Sequence, residues 1–131
     1  MDSVELDDKL AEVVDKVVSE YEARQDRESI SRTQLAALIS HTESLGAEGL
    51  TKLIKQQRAK GARNERAAEQ GKGKQRARNP VFWETLHHTV SGELGRLAAD
   101  HGKADLVYSL FAVRLASELN YRTTLNRRRS R

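Results

Sequence analysis

The chain contains no cysteine and only one proline among its 131 residues. Without cysteine, disulfides, thiolate metal sites and cysteine nucleophiles are excluded. A single proline, together with 37% apolar and 32% charged residues, is typical of a helical protein and not of a turn-rich sheet protein. The length fits one small helical domain, which we expect to span residues 1–131.

Long hydrophobic runs are also absent. No stretch approaches the roughly 20 apolar residues that a membrane span requires. The opening sequence MDSVELDD is acidic, whereas a signal peptide opens with basic residues. These absences predict a cytoplasmic protein that does not act at a membrane.

Recognisable catalytic patterns are absent as well. Glu84, His87 and His88 resemble half of the Glu-x-x-His pattern of di-iron bundles, but no second copy supplies the remaining ligands. The glycines of the basic region lack the spacing of a phosphate-binding loop, and no nucleophile elbow is present. We therefore expect no enzymatic activity, no metal site and no cofactor.

Apolar residues recur at spacings of three and four, which predicts helices. The first helix covers residues 3–24 and has a largely acidic outer face. The second starts at Ser31, which can form a capping box with Gln34, and it stops at Gly46. A third helix follows Gly49. Its inward residues are expected to be Leu50, Leu53 and Ile54.

Two more helices complete the predicted fold. Asn79-Pro80 begins the fourth, which closes at Gly102, and the fifth begins at Asp105. The fifth carries Leu106, Val107, Leu110, Phe111, Val113 and Leu119 and is the most apolar segment of the chain, so it is expected to lie at the centre of the bundle. The prediction is an all-α fold, a single small bundle of about five helices. A mobile, basic, glycine-containing loop (60–79) joins the third helix to the fourth, and a basic C-terminal tail (123–131) follows the last.

Charges of opposite sign are segregated along the chain. Residues 1–29 hold ten acidic and four basic residues, whereas 52–78 hold ten Lys/Arg and two Glu. Such a basic block is solvated and its usual partner is a polyanion. The candidate nucleic-acid-binding residues on and just after the third helix are Lys52, Lys55, Arg58, Lys60, Arg63 and Arg66. Those in the predicted loop are Lys72, Lys74, Arg76 and Arg78. A second contact is expected from Arg122, Arg127, Arg128 and Arg129.

These cations predict binding of RNA or single-stranded DNA through phosphates, without sequence specificity. Two other functions fit the same pattern. The second and third helices, joined by a glycine-containing turn, could form a sequence-specific helix-turn-helix regulator, although the third helix has few short polar side chains for reading bases. The basic strip could also bind an acidic protein, which would make the chain a helical adaptor.

Three segments carry a family resemblance: the acidic helix from Asp8 to Tyr21, the segment from Ile30 through Leu35 to Leu45, and the closing helix from Val107 to Arg122. Together they resemble the small all-helical subunit of multisubunit CRISPR-Cas effector complexes, of type III or its type IV counterpart. The resemblance implies a non-catalytic antiviral-defence subunit of a ribonucleoprotein. Copies would associate with each other and with other subunits along a filament, holding a guide-target duplex or a displaced strand.

Two features depart from that family's pattern. Ala36 stands where the family usually has a basic residue after the Gln-Leu pair of the second helix. The glycines from Gly61 to Gly73 predict a loop where the family continues with a long arginine-bearing helix. The strand that is bound and the subtype therefore stay open.

Overall fold

A computed structural model of the chain describes residues 3–24, 32–69 and 80–129. The helices are α1 (Ser3–Arg24), α2 (Arg32–Leu45), α3 (Ala47–Glu69), α4 (Pro80–Thr89), α5 (Gly95–His101) and α6 (Ala104–Arg129). A π-helical turn, Val90–Leu94, joins α4 to α5 without a break. The described ranges therefore form five helical rods and contain no strand, which confirms the predicted all-α bundle. Within these ranges, no helix is both long enough and apolar enough to cross a membrane.

A single hydrophobic core holds the rods together. The apolar stripe predicted for α1 is buried in full: Leu6, Leu10, Val13, Val14, Val17, Val18 and Tyr21. Leu50, Leu53 and Ile54 of α3 are buried as predicted. Each such side chain removed from water stabilises the fold by about 1.5–3 kcal/mol. The spacing of apolar residues therefore accounts for which face of α1 and of α3 points inward.

The π-helical turn follows from the spacing of buried residues in α4 and α5. Phe82, Leu86, Val90, Leu94 and Ala98 are all buried, and each is four residues from the next. Four steps of four residues rotate by about 160° in a regular α-helix, which would carry Ala98 away from the core. At the end of the wider turn the Gly95 N–H donates to the carbonyl oxygen of Val90, five residues earlier. The extra residue per turn keeps the apolar row directed at the core.

A very short connection makes α2 and α3 a tight hairpin. Gly46 alone links them, with φ of +64°, and its N–H donates to the Thr42 carbonyl at 2.8 Å. At Gly49, a Cβ would overlap the backbone carbonyl oxygen of His41. The Asp105 carboxylate accepts from the Ala47 N–H at 3.0 Å, which satisfies an orphan donor at the start of α3. Glycine therefore permits the close approach, and α6 anchors the start of α3.

Cross-helix contacts fix the relative directions of three of the rods. Asp7 pairs with Arg114, and Asp15 and Glu22 pair with Arg122, so α1 and α6 run in the same direction. Tyr21 meets Phe82 edge to face with ring centroids 5.2 Å apart, and Lys16 pairs with Glu93, so the α4 rod runs against α1. The end of α1, the start of α4 and the end of α6 consequently lie at one end of the bundle.

Several predicted boundaries differ from the structure. Gly49 lies inside α3, which begins at Ala47, and α3 continues to Glu69, so residues 60–69 are helical where a loop was predicted. Helix α6 extends to Arg129 into the predicted tail. One helical glycine costs only about 1 kcal/mol relative to alanine, which the surrounding Ala, Arg, Gln and Glu residues offset. Residues 70–79, 130 and 131 of those predicted segments, and Ser31 of the predicted capping box, lie outside the described residues.

The apolar residues of α6 are divided between the core and the surface. Val107, Phe111 and Leu119 are buried, but Leu106, Leu110 and Val113 are exposed. The helix is apolar around most of its circumference, so spacing alone could not distinguish its two faces. The buried side of α6 is completed by Tyr108, Ala112, Leu115 and Ala116.

Candidate nucleic-acid interface

The outer face of α3 carries the first group of predicted ligands. Because Leu50, Leu53 and Ile54 are buried, the helix turns its opposite side outward, and Lys52 and Lys55 are exposed there. These two lysines are three residues apart, a spacing that places side chains next to each other on one helix face. The burial pattern of α3 therefore presents the lysines to solvent.

Positions 63 and 66 belong to the same side of α3 by backbone register. Positions 52, 55, 59, 63 and 66 follow one another at steps of three or four residues, and α3 is helical over this whole range. Such steps keep positions on one face of an α-helix. At 1.5 Å per residue the row from 52 to 66 is about 21 Å long. Because α3 does not end at Gly61, positions 52 to 66 belong to one continuous helix.

Two predicted ligands on α3 lack an ion-pair partner in the described part of the chain, and a third has a weak one. Lys55 and Lys60 are exposed and make no ion pair with a described residue. Lys52 lies 3.0 Å from Glu48 of the preceding turn, with both side chains more than half exposed. An exposed pair of this kind contributes only about 0.3–0.5 kcal/mol, so a phosphate can compete for Lys52.

Arg58 has a different role from the one predicted. Its Nε donates to Glu84 Oε2 at 2.9 Å, and its Nη2 donates to Glu84 Oε1 at 3.1 Å. This two-bond pairing joins α3 to α4. The hydrogen bond from Arg58 holds the pKa of Glu84 below its ordinary value, despite the opposing effect of burial. We therefore assign Arg58 to the α3–α4 contact and not to the phosphate-binding row.

Arg122 is likewise engaged within the bundle. Its guanidinium donates to Glu118 at 2.8 Å, to Glu22 at 2.8 Å and to Asp15 at 3.2 Å. These bonds, above all the one to Glu118, raise the pKa of Arg122 above its ordinary value. Only 27% of its side chain is exposed. A guanidinium that already serves three carboxylates joins α6 to α1, and we leave it out of the candidate interface.

Topology brings the two predicted basic clusters to the same end of the bundle. The start of α3 lies beside Asp105 at the start of α6, and Arg58 lies beside the start of α4. Since the end of α6 also lies beside the start of α4, α3 and α6 end at the same end of the molecule. From there α3 continues to Glu69 and α6 to Arg129. Positions 63 and 66 and positions 127–129 therefore belong to one end, here called the basic end.

Four predicted ligands cannot be placed. Lys72, Lys74, Arg76 and Arg78 lie outside the described residues. They connect α3 to α4 along the chain, and both flanking positions, Glu69 and Pro80, belong to the basic end. Their contribution stays a prediction.

The histidine cluster on α4 surrounds an ion pair. His88 Nε2 lies 3.5 Å from Glu84 Oε1, the carboxylate that Arg58 also contacts, and the His87 and His88 rings are 5.6 Å apart. Among the described residues, no group of three or more metal-ligating side chains converges. The Glu84 carboxylate thus pairs with the Arg58 guanidinium and lies beside the His88 ring.

Comparison with known proteins identifies no relative. No protein-family model matches the sequence, and neither a curated protein nor a solved structure shows significant similarity.

Some of the ion pairs that engage predicted ligands could have been found in the sequence. Glu118 precedes Arg122 by four residues and Glu48 precedes Lys52 by four, the spacing at which helical ion pairs form. The remaining partners, Asp15, Glu22 and Glu84, are distant along the chain from the arginines they bind. Only the packing of α1 on α6 and of α3 on α4 brings them together.

Proposed function

We propose that the chain is a non-catalytic binder of nucleic-acid backbones, and that the α3 row is its main contact. The observation that carries the proposal is the exposed row that starts with Lys52 and Lys55 and continues in register to position 66, on a helix anchored by its apolar face. Its ligand is RNA or single-stranded DNA. Lysines at intervals of about 5–6 Å on one helix face suit a run of phosphates.

Among the described side chains of α3, few exposed residues suit base reading, which favours recognition without sequence specificity. Beside the lysines, the exposed residues of positions 51–60 are Thr51, Gln56, Ala59 and Arg58, and Arg58 is engaged by Glu84. Lysines contact phosphates as point charges and carry no sequence information. The α3 row therefore supports a proposal of backbone binding, with positions 127–129 at the basic end as a second contact.

The test is a salt series with a labelled single-stranded RNA and a duplex DNA of unrelated sequence. The variant carries Lys52→Gln, Lys55→Gln and Lys60→Gln. Its control carries Lys9→Gln, Arg96→Gln and Lys103→Gln, three exposed cations outside the row, so both variants lose the same charge. Each phosphate that a variant no longer neutralises should lower the log–log salt slope by about 0.7–0.9. We expect the slope of the first variant to fall by about two units and its affinity at least tenfold, and the control to bind like wild type.

Other outcomes would contradict the proposal. Equal losses of affinity in both variants would mean that net charge alone drives binding. A strong preference for one duplex over scrambled duplexes would favour the helix-turn-helix regulator. No binding to nucleic acid at physiological salt would favour an adaptor whose basic row meets an acidic protein.

A narrower form of the proposal follows from the family resemblance. We propose that the chain acts as a small subunit of a CRISPR-Cas effector ribonucleoprotein, where copies repeat along the complex and contact other subunits. Continuity of α3 to Glu69 supports it, because the predicted break at Gly61 was one departure from the family's pattern. Sequencing RNA that co-purifies with the tagged chain tests it. Guide RNA and filament proteins are expected, and a bulk sample of cellular RNA without such proteins would contradict it.

A further inference from the structure

The outer face of α6 is less charged than the outer faces of α1 and α3. Outward-facing residues on α1 and α3 are largely charged, whereas those on α6 are apolar or neutral over four turns. They are Leu106, Leu110, Val113, Ser117 and Tyr121. These five residues are here called the α6 stripe. Its four large members, Leu106, Leu110, Val113 and Tyr121, are between 39% and 60% exposed. Contiguous exposed apolar surface of this kind marks an interaction site.

Grooves flank the α6 stripe on both sides. Ala11 and Val14 of α1 line a groove of about 630 Å³ with Val113 and Tyr121 of α6. A second groove of about 250 Å³ runs between α2 and α6, where Ala36 is one of its lining residues. Small side chains along each groove leave room for the ridges of another helix. The shape therefore suits a helix packed along α6.

Charge along one edge of the stripe points to the kind of helix that would fit. Asp15 lines the larger groove, and Asp8 and Glu12 are exposed on the same helix. Neither Asp8 nor Glu12 makes an ion pair with a described residue. The cations of this region, Arg114 and Arg122, are already paired with acids of the bundle. The α1 edge of the groove thus retains unneutralised negative charge.

We propose that the α6 stripe binds an amphipathic helix of a partner protein, with lysines or arginines on the flank that meets α1. The apolar face of that helix would cover the stripe, while its basic flank would lie against Asp8 and Glu12. Helix α3 of a second copy cannot take this place, since its apolar residues Leu50, Leu53 and Ile54 are buried in its own core. The proposal concerns a face distinct from the α3 row and stands independently of nucleic-acid binding.

The probe is a fluorescent 18-residue helical peptide with leucines at positions i, i+3, i+4 and i+7 and lysines along one flank. A matched peptide carries glutamates in place of the lysines. The full chain is compared with a Leu110→Gln, Val113→Gln variant, with an Asp8→Asn, Glu12→Gln variant, and with Leu45→Gln as a control. Leu45 is also apolar and exposed, at 53%, but it belongs to α2 and lines neither groove. Circular dichroism confirms that each variant is folded.

Binding of the lysine peptide is expected to weaken at least tenfold in the Leu110/Val113 variant and several-fold in the Asp8/Glu12 variant. It should be unchanged in Leu45→Gln, and the glutamate peptide should bind at least tenfold more weakly. Equal binding of the lysine peptide to wild type and to the Leu110/Val113 variant would overturn the proposal. So would a wild-type dimer in sedimentation that the same variant converts to monomer, because the stripe would then be covered by a second copy.

Discussion

The α2–α3 hairpin and the α1–α6 pair both bring two helices together, but they differ in whether cations take part in the contact. In the hairpin, Gly49 lets the backbones approach, and no cation is needed at the contact. In the α1–α6 pair, Arg114 and Arg122 bridge the helices through carboxylates of α1. The lysines of α3 consequently remain available to a ligand, while the arginines in the middle of α6 do not. How a helix is packed therefore decides whether its charges can serve a function.

The largest effect is expected from breaking the hairpin with Gly49→Ala. The added Cβ would overlap the His41 carbonyl oxygen and crowd Leu45, so the helices must move apart. Overpacking of this kind costs about 1–3 kcal/mol, which exceeds the gain in helix propensity of about 1 kcal/mol. We expect a lower free energy of unfolding in urea titrations.

Gly92→Ala is the matched control for that change. Outside its chain neighbours and the local helix backbone, no atom lies within 4 Å of the position a Cβ would take at Gly92. This variant should be as stable as wild type or slightly more stable. Equal stability of the two glycine variants would show that close approach does not hold the hairpin together.

The next effect is expected from breaking the α1–α6 pair with Arg122→Gln. Three carboxylates, Asp15, Glu22 and Glu118, lose a shared partner and repel one another. The free energy of unfolding should fall by about 1–2 kcal/mol, more than for a single exposed pair, and added salt should recover part of it. Affinity for single-stranded RNA should change less than twofold.

Lys103→Gln provides the control, because Lys103 is exposed and makes no ion pair with a described residue. It removes the same charge and should leave stability within about 0.5 kcal/mol of wild type. A large loss of RNA affinity in folded Arg122→Gln would instead return Arg122 to the interface.

The smallest effect concerns Arg58, which joins α3 to α4 through Glu84 as Arg122 joins α6 to α1. Both Arg58 and Glu84 are more than a third exposed, so Arg58→Gln should cost only about 0.2–1 kcal/mol at pH 7. The pKa of Glu84 is lowered in the fold, so this contribution is complete above the ordinary glutamate range and is lost as the pH falls through the lowered value. Chemical denaturation of wild type and variant from pH 7 down to about 3 measures the difference.

Lys55→Gln, one turn earlier on α3, is the control for this pH series. Its exposed ammonium has no partner among the described residues, so its stability difference from wild type should stay small and independent of pH. A difference for Arg58→Gln that persists at low pH would mean that Arg58 acts through packing and not through Glu84.

The spacing of apolar residues was sufficient to predict most of the fold and the face of α3 that points outward. Steps of three and four residues predicted the buried sides of α1 and α3, because a helix with one apolar stripe has only one way to face a core. The same spacing could not orient α6, where Leu106, Leu110 and Val113 are as apolar as the residues that are buried. Composition predicted a loop from residue 60, but residues 60–69 continue α3, because a single glycine costs too little to end a helix.

The sequence by itself determined that this is an all-helical chain with a basic segment exposed on its third helix, since local spacing and composition specify both. Tertiary structure alone decided which cations are available and which apolar side of α6 faces outward. Arg58 and Arg122 meet their carboxylates only when helices distant along the chain pack together. Charge and hydrophobicity are properties of residues, whereas pairing and exposure depend on which neighbours the fold brings within a few ångströms.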